Sequence, residues 1–136
     1  MSFALSGPLQ ATVFNHLSAD APLAALVGDA IYDAMPAGTV PDTYVQLGGE
    51  TVRDASDGSG DGAVHLFTVS VFTTVAGFAG AKAVAGAVSD ALQNADLALS
   101  RGKLVSLRFD RASAKRIESA SLRKIELRFR ARVQDD

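Results

Sequence analysis

The chain has 136 residues, 21% of them charged, a net charge of −2 and no cysteine. That length suits a single domain over residues 1–136 with its own core, since a domain of about 150 residues buries roughly 70% of its unfolded surface. The missing cysteines exclude disulfides, thiolate metal sites and a Cys nucleophile, and no apolar run approaches the roughly 18 residues of a membrane span.

Ser6-Gly7-Pro8 marks a helix start, with Ser6 or Gly7 as N-cap and Pro8 in the first turn. Leu9, Val13 and Leu17 form its apolar stripe, Phe14 lies beside it, and the helix ends near Ala19. Asp20 caps a second, shorter helix carrying Leu23, Leu26 and Val27, and Gly28 ends it. Ile31 to Met35 is short and extended, and Pro36 to Asp42 is a loop by composition. Tyr44-Val45-Gln46-Leu47 is a strand that extends through Gly48-Gly49 to Val52, the glycines pointing to a bulge or a close backbone approach. Residues 54–62, rich in Asp, Ser and Gly, form the most flexible segment, a long hairpin loop.

Val64 to Thr74 is the central strand. Phe67, Val69 and Val71 lie on one face; Val64, Leu66 and Phe72 surround Thr68 and Ser70 on the other. Apolar side chains on both faces mark an inner position in a sheet. After a Gly-rich turn, Ala81 to about Ala95 is a helix whose narrow apolar face (Ala81, Val84, Ala85, Val88, Ala91, Leu92, Ala95) suits close packing on a sheet. A turn at Arg101-Gly102 leads to a strand from Leu104 to Arg111, with Val105, Leu107 and Phe109 on one side. Ser113 to Ser121 reads as a hairpin turn or a frayed strand. Leu122 to Val133 alternates throughout: Ile125, Leu127, Phe129, Ala131 and Val133 face in, and Lys124, Glu126, Arg128, Arg130 and Arg132 face out. The expected fold is α+β, an antiparallel sheet of about four strands with helices packed on one face.

The small net charge hides a split. Residues 1–100 hold two basic and ten acidic residues, a net −8; residues 101–136 hold eleven basic and five acidic ones, a net +6. The basic strip Arg108, Arg111, Lys115, Arg116, Arg128, Arg130 and Arg132 is a candidate contact surface, for nucleic acid through phosphates or for the acidic part of another copy. Aromatic residues do not interleave with these arginines in sequence, which weakens the nucleic-acid reading. Asp54, Asp57 and Asp61 resemble a calcium loop in composition but not in spacing; they read as a solvated loop or one that orders against a neighbouring subunit. The turn at Gly77 and Gly80 lacks the Gly-Lys-Ser/Thr ending of a phosphate loop. His16 and His65 have no Gly-x-Ser-x-Gly or His-Glu-x-x-His motif around them and read as surface or sheet-edge residues. The first eight residues lack a basic n-region, so a soluble intracellular protein without a signal peptide is expected.

The order of segments resembles the small tail-completion, or tail-terminator, proteins of long-tailed phages. The resemblance runs through Leu9-Gln10-Ala11, Leu17 to Asp20, Leu23 to Gly28, Ile31-Tyr32-Asp33 with Pro36, Tyr44 to Gly48, Thr51 to Asp54, His65 to Phe72, Ala81 to Ala85, Leu97 to Phe109 and Arg128-Phe129-Arg130. The Ala-rich composition is similar to versions carried in gene transfer agents. The family often has Pro-Tyr where this chain has Pro41-Asp42-Thr43-Tyr44, and Trp where it has Phe72. The resemblance implies a structural protein without catalytic residues, metal or cofactor, residing in the tail at the head–tail junction of a particle assembled in the bacterial cytoplasm. It implies a homohexameric ring that caps the tail tube, ends its elongation and meets the head-side connector or stopper protein. DNA passes through its lumen without sequence recognition, and no membrane is involved. A nucleic-acid-binding module using the basic C-terminal strands is the alternative expectation.

Overall fold

The computed structural model describes residues 3–58 and 60–135. Helix α1 spans Ser6–Ser18 and buries Ser6, Leu9, Val13 and Leu17. Neither Ser6 nor Gly7 caps it. The cap position falls on Leu5 without a side-chain bond, because the Ser6 hydroxyl donates to Glu50 instead. Helix α2, Ala21–Val27, is capped by Asp20, whose carboxylate accepts the Leu23 N–H at 3.1 Å. Leu23 is fully buried while Leu26 is 50% exposed, so only the first belongs to the core.

The strands are β1 (Ile31–Tyr32), β2 (Thr43–Asp54), β3 (Gly62–Thr73), β4 (Lys103–Ile117) and β5 (Leu122–Gln134), with α3 at Ala79–Leu92. They form one five-stranded sheet in the order β1-β2-β3-β5-β4. The expected sheet of about four antiparallel strands is extended by β1, which pairs parallel with β2 over two residues. That short strand is secured where the Val45 N–H donates to the Ala30 carbonyl at 2.9 Å. β3 and β4 both run antiparallel to β5, so the α3 crossover leaves a gap in the sheet that the returning β5 fills.

Helix α3 turns Ala81, Val84, Ala85, Val88 and Leu92 inward, as their spacing predicts. Its small side chains let it lie close on the sheet, above Phe67, Val69, Val71, Leu127, Phe129 and Ala131. Phe67 and Phe129 stack at 5.7 Å between centroids, and Phe109 meets Phe129 edge-on at 6.1 Å. The His16 Nε2–H donates to the Ala91 carbonyl at 2.8 Å, tying α1 to α3.

β4 departs from simple alternation. Register shifts between Leu104 and Ser106 and between Phe109 and Arg111 mark two bulges, each of which turns the strand by one residue. Leu104, Leu107 and Phe109 therefore stand opposite the inward residues Val133, Ala131 and Phe129, and Val105, expected beside them, is 51% exposed. Ser113 to Ile117 is regular strand, and the hairpin turn is only Glu118–Ala120 followed by Ser121 at φ 51. The free edge of β4 is partly covered: the Phe109 N–H donates to Gln93 Oε1 at 2.7 Å, and the Asn94 N–H to the Leu107 carbonyl at 2.9 Å.

Gly102 sets the entry to β4. Its φ is +66, and a Cβ there would stand 2.6 Å from the Gln134 carbonyl oxygen. Both facts exclude a side chain. Gly102→Ala is expected to destabilise the fold by about 1–3 kcal/mol. Gly86→Ala, at an exposed α3 position with nothing within 4 Å, is expected to stabilise it by about 0.5–1 kcal/mol. Urea unfolding midpoints of the two variants check both signs.

Candidate interaction surface

The helices cover one face of the sheet and leave the other open. Register decides which side chains occupy the open face. On β5 these are Lys124, Glu126, Arg128, Arg130 and Arg132, opposite Lys115, Ser113, Arg111, Arg108 and Ser106 of β4 in that order. On the other side of β5, β3 contributes Phe72, Ser70, Thr68, Leu66 and Val64, and β2 adds Tyr44, Gln46, Thr51 and Arg53 beyond them. Six of the seven residues of the basic strip thus share one face. Arg116 does not: it stands opposite Arg123, one residue out of phase. Lys103, Lys124 and Arg53 join the face, and Arg53 could not be assigned to it without the β2–β3 register.

Like charges lie directly across the β4–β5 ladder: Arg108 opposite Arg130, Arg111 opposite Arg128, Lys115 opposite Lys124. Such pairs cost stability in isolation. Internal relief is local. The Arg128 Nε–H donates to Asp110 at 2.6 Å, and Lys124 pairs with Glu126 at 3.0 Å. Arg108, Arg111 and Arg130 have no carboxylate partner among the described residues. Between the strands runs an open groove of about 510 Å3 lined by Thr51, Leu66, Thr68, Arg111, Glu126 and Arg128, among others.

One end of this face is aromatic. Tyr44 stacks on Phe72 at 5.3 Å and meets Tyr32 at 6.0 Å, with the Lys124 ammonium 5.6 Å from the Phe72 ring centre. The sequence separates these rings from the arginines by up to a hundred residues, so linear spacing gave no sign of their sharing a face. Tyr and Arg are the residue types most often found at binding hot spots.

The Asp54–Gly62 segment is held by its own chain. The Asp54 carboxylate accepts the Ser56 hydroxyl at 2.6 Å and the Ser56 N–H at 3.1 Å; the hydroxyl bond, the larger influence, holds its pKa below the ordinary carboxylate value. Asp57 and Gly60 bridge, and the Asp135 N–H donates to the Asp61 carbonyl at 2.9 Å. These bonds join the described residues of the segment to one another and to Asp135, just past the C-terminal end of β5. Among the described residues no three His, Asp or Glu side chains converge as a metal site.

His65 corrects the sequence reading most sharply. It is fully buried, not at a surface or sheet edge. The register shift between Leu47 and Glu50 in β2 turns Glu50 inward, opposite Phe67 and next to Val52, the partner of His65. His65 Nδ1 lies 3.2 Å from Glu50 Oε2, and Ser6 donates to the other carboxylate oxygen. His65 Nε2 is buried and without a partner among the described residues. Ser6 meets the carboxylate and not the imidazole, so this is a structural polar bridge from α1 to the sheet and not a nucleophile with its base. Glu50→Ala strands both imidazole nitrogens and is expected to cost about 1–3 kcal/mol. Ser6→Ala is expected to cost less, and thermal unfolding of the pair checks the order.

Comparison with known proteins gives two findings. The family described as tail completion protein gp17 matches residues 11–134. A solved chain from a "Virion of native gene transfer agent (GTA) particle" superposes with a TM-score of 0.93 at 62% sequence identity, covering 98% of this chain and 99% of that one. No curated protein sequence matches. With the family's model spanning nearly the whole chain, this protein belongs to the tail completion protein gp17 family.

Proposed function

We propose that the protein is a structural component of the tail of a phage-like particle of the gene transfer agent type. Its copies close a hexameric ring on the finished tail tube, end its elongation and present a surface to the head-side connector. DNA passes through the lumen without sequence readout. The observation that carries this reading is end-to-end similarity to a virion chain at high identity, with almost nothing left over on either side. The physical features agree with it. The protein has two unlike faces, a basic sheet and a helix layer whose charged residues are Lys82 and Asp90 within the helices, with Asp20, Asp29, Asp33 and Asp96 at their flanks. Unlike faces suit a head-to-tail contact, and such contacts form a ring when the rotation between copies closes. Its work is binding: the buried Ser6–Glu50–His65 bridge serves packing.

A second reading, a nucleic-acid-binding module, draws on the basic face and its aromatic end. The split between −8 in residues 1–100 and +6 in residues 101–136 favours a partner that itself carries both charges.

Light scattering with negative-stain imaging tests the ring, first for the protein alone and then with tail-tube protein. The expected result is a ring of about six copies with a central hole, on the tube end if not in free solution. A monodisperse monomer under both conditions would refute it. For the second reading, duplex DNA binding that falls steeply between 50 and 200 mM salt is the result to look for; the ring reading expects no more than weak, non-specific retention.

A further inference from the structure

We infer that the open basic face of the sheet is the seat of the helix layer of a second copy, so that the ring closes sheet-face to helix-face. This rests on the ring reading above and names the surfaces that make it.

The bare basic face carries a cost. Three like-charge pairs face each other across β4 and β5, and neighbours of one sign directly opposite destabilise a sheet. Arg108 and Arg111 are exposed and have no carboxylate partner among the described residues. The cost is offset when an anionic surface covers the face. The chain carries such a surface on its other side. Asp90 of α3 and Asp20 at the head of α2 line a groove of about 360 Å3 whose remaining walls are Pro22, Ala83, Gly86, Ala87 and Ala91. Small side chains there leave room for long arginine side chains to lie down. Lys82 is the only Lys or Arg in the three helices, so the helix layer brings little repulsion of its own.

The two surfaces lie on opposite sides of the molecule, the sheet between them. A contact between opposite sides of identical molecules is heterologous and cannot satisfy itself in a two-fold dimer. It propagates from copy to copy until rotation closes it. DNA fits this face less well. A DNA seat would use the arginines but leave the acidic helix layer without a counterpart.

Charge exchange between the two surfaces tests the inference. One variant carries Arg108→Glu and Arg111→Glu; the other carries Asp90→Lys and Asp20→Ser, the serine keeping the α2 cap. Circular dichroism and thermal unfolding establish that each is folded. Light scattering then follows assembly beside the wild type, under whichever condition the wild type forms rings. Each variant alone is expected to associate at least about tenfold more weakly than the wild type. An equimolar mixture is expected to recover ring mass, because each copy then offers its neighbour a complementary face. If either folded variant assembles alone as the wild type does, or if the mixture stays monomeric, the inference is overturned while wild-type rings keep the ring reading intact. If the arginine variant assembles normally and instead loses binding to duplex DNA, the face serves nucleic acid and the inference is likewise overturned. A wild type that makes no ring even on tube protein removes the ring reading itself and this inference with it.

Discussion

Twelve consecutive residue pairs join β3 to β5 with no register shift, from Gly62 opposite Gln134 to Thr73 opposite Arg123. The rest of the molecule is attached to that ladder. β2 adds to one side of it with one register shift and β4 to the other with two, while the central pair stays in phase. Because the side-chain period is two, a slip of one residue would carry Arg128, Arg130 and Arg132 into the core and Leu127, Phe129 and Ala131 out of it. Burying one unpaired charge costs several kcal/mol. The arginines on the open face therefore fix the register as firmly as the apolar residues beneath them do. A requirement of folding and a property of the surface are met by the same alternating pattern.

Much of this architecture was legible in the sequence because it is governed by local rules. The β5 alternation, the α3 stripe, the Asp20 cap and the inner position of β3 follow from periodicity and from backbone chemistry within a few residues. What escaped was set by register. Val105 reads as a core residue until a bulge displaces it. Glu50 has no local signal in the sequence; the shift after Leu47 turns it toward His65. Ser6 reads as a helix cap until the fold brings Glu50 within its reach. The basic strip was visible in charge counts, and its division, with Arg116 on the opposite side from Lys115, appeared only once β4 was paired. The aromatic end of the open face, built from Tyr32, Tyr44 and Phe72 on three different strands, had no local signature at all.

The buried bridge from Ser6 through Glu50 to His65 shows how a polar group can specify a packing arrangement that apolar contacts leave free. Leu9, Val13 and Leu17 give α1 an apolar face, but an apolar face slides easily on another. A carboxylate that must meet a hydroxyl on α1 and an imidazole on β3 at once admits one placement of the helix along its axis. The His16 bond to the Ala91 carbonyl adds a second such point, between α1 and α3. The two histidines thus help fix α1, one to the sheet through Glu50 and the other to α3.

The free edge of β4 has a further consequence. Gln93 and Asn94 occupy it at Phe109 and Leu107, while the strand beyond carries Arg111, Lys115 and Arg116 along an exposed border. A bare strand edge is a template for another chain. Here two such borders brought together would set cation against cation, so edge-to-edge stacking is disfavoured. Charge along this border thus opposes the edge pairing through which fibrils grow.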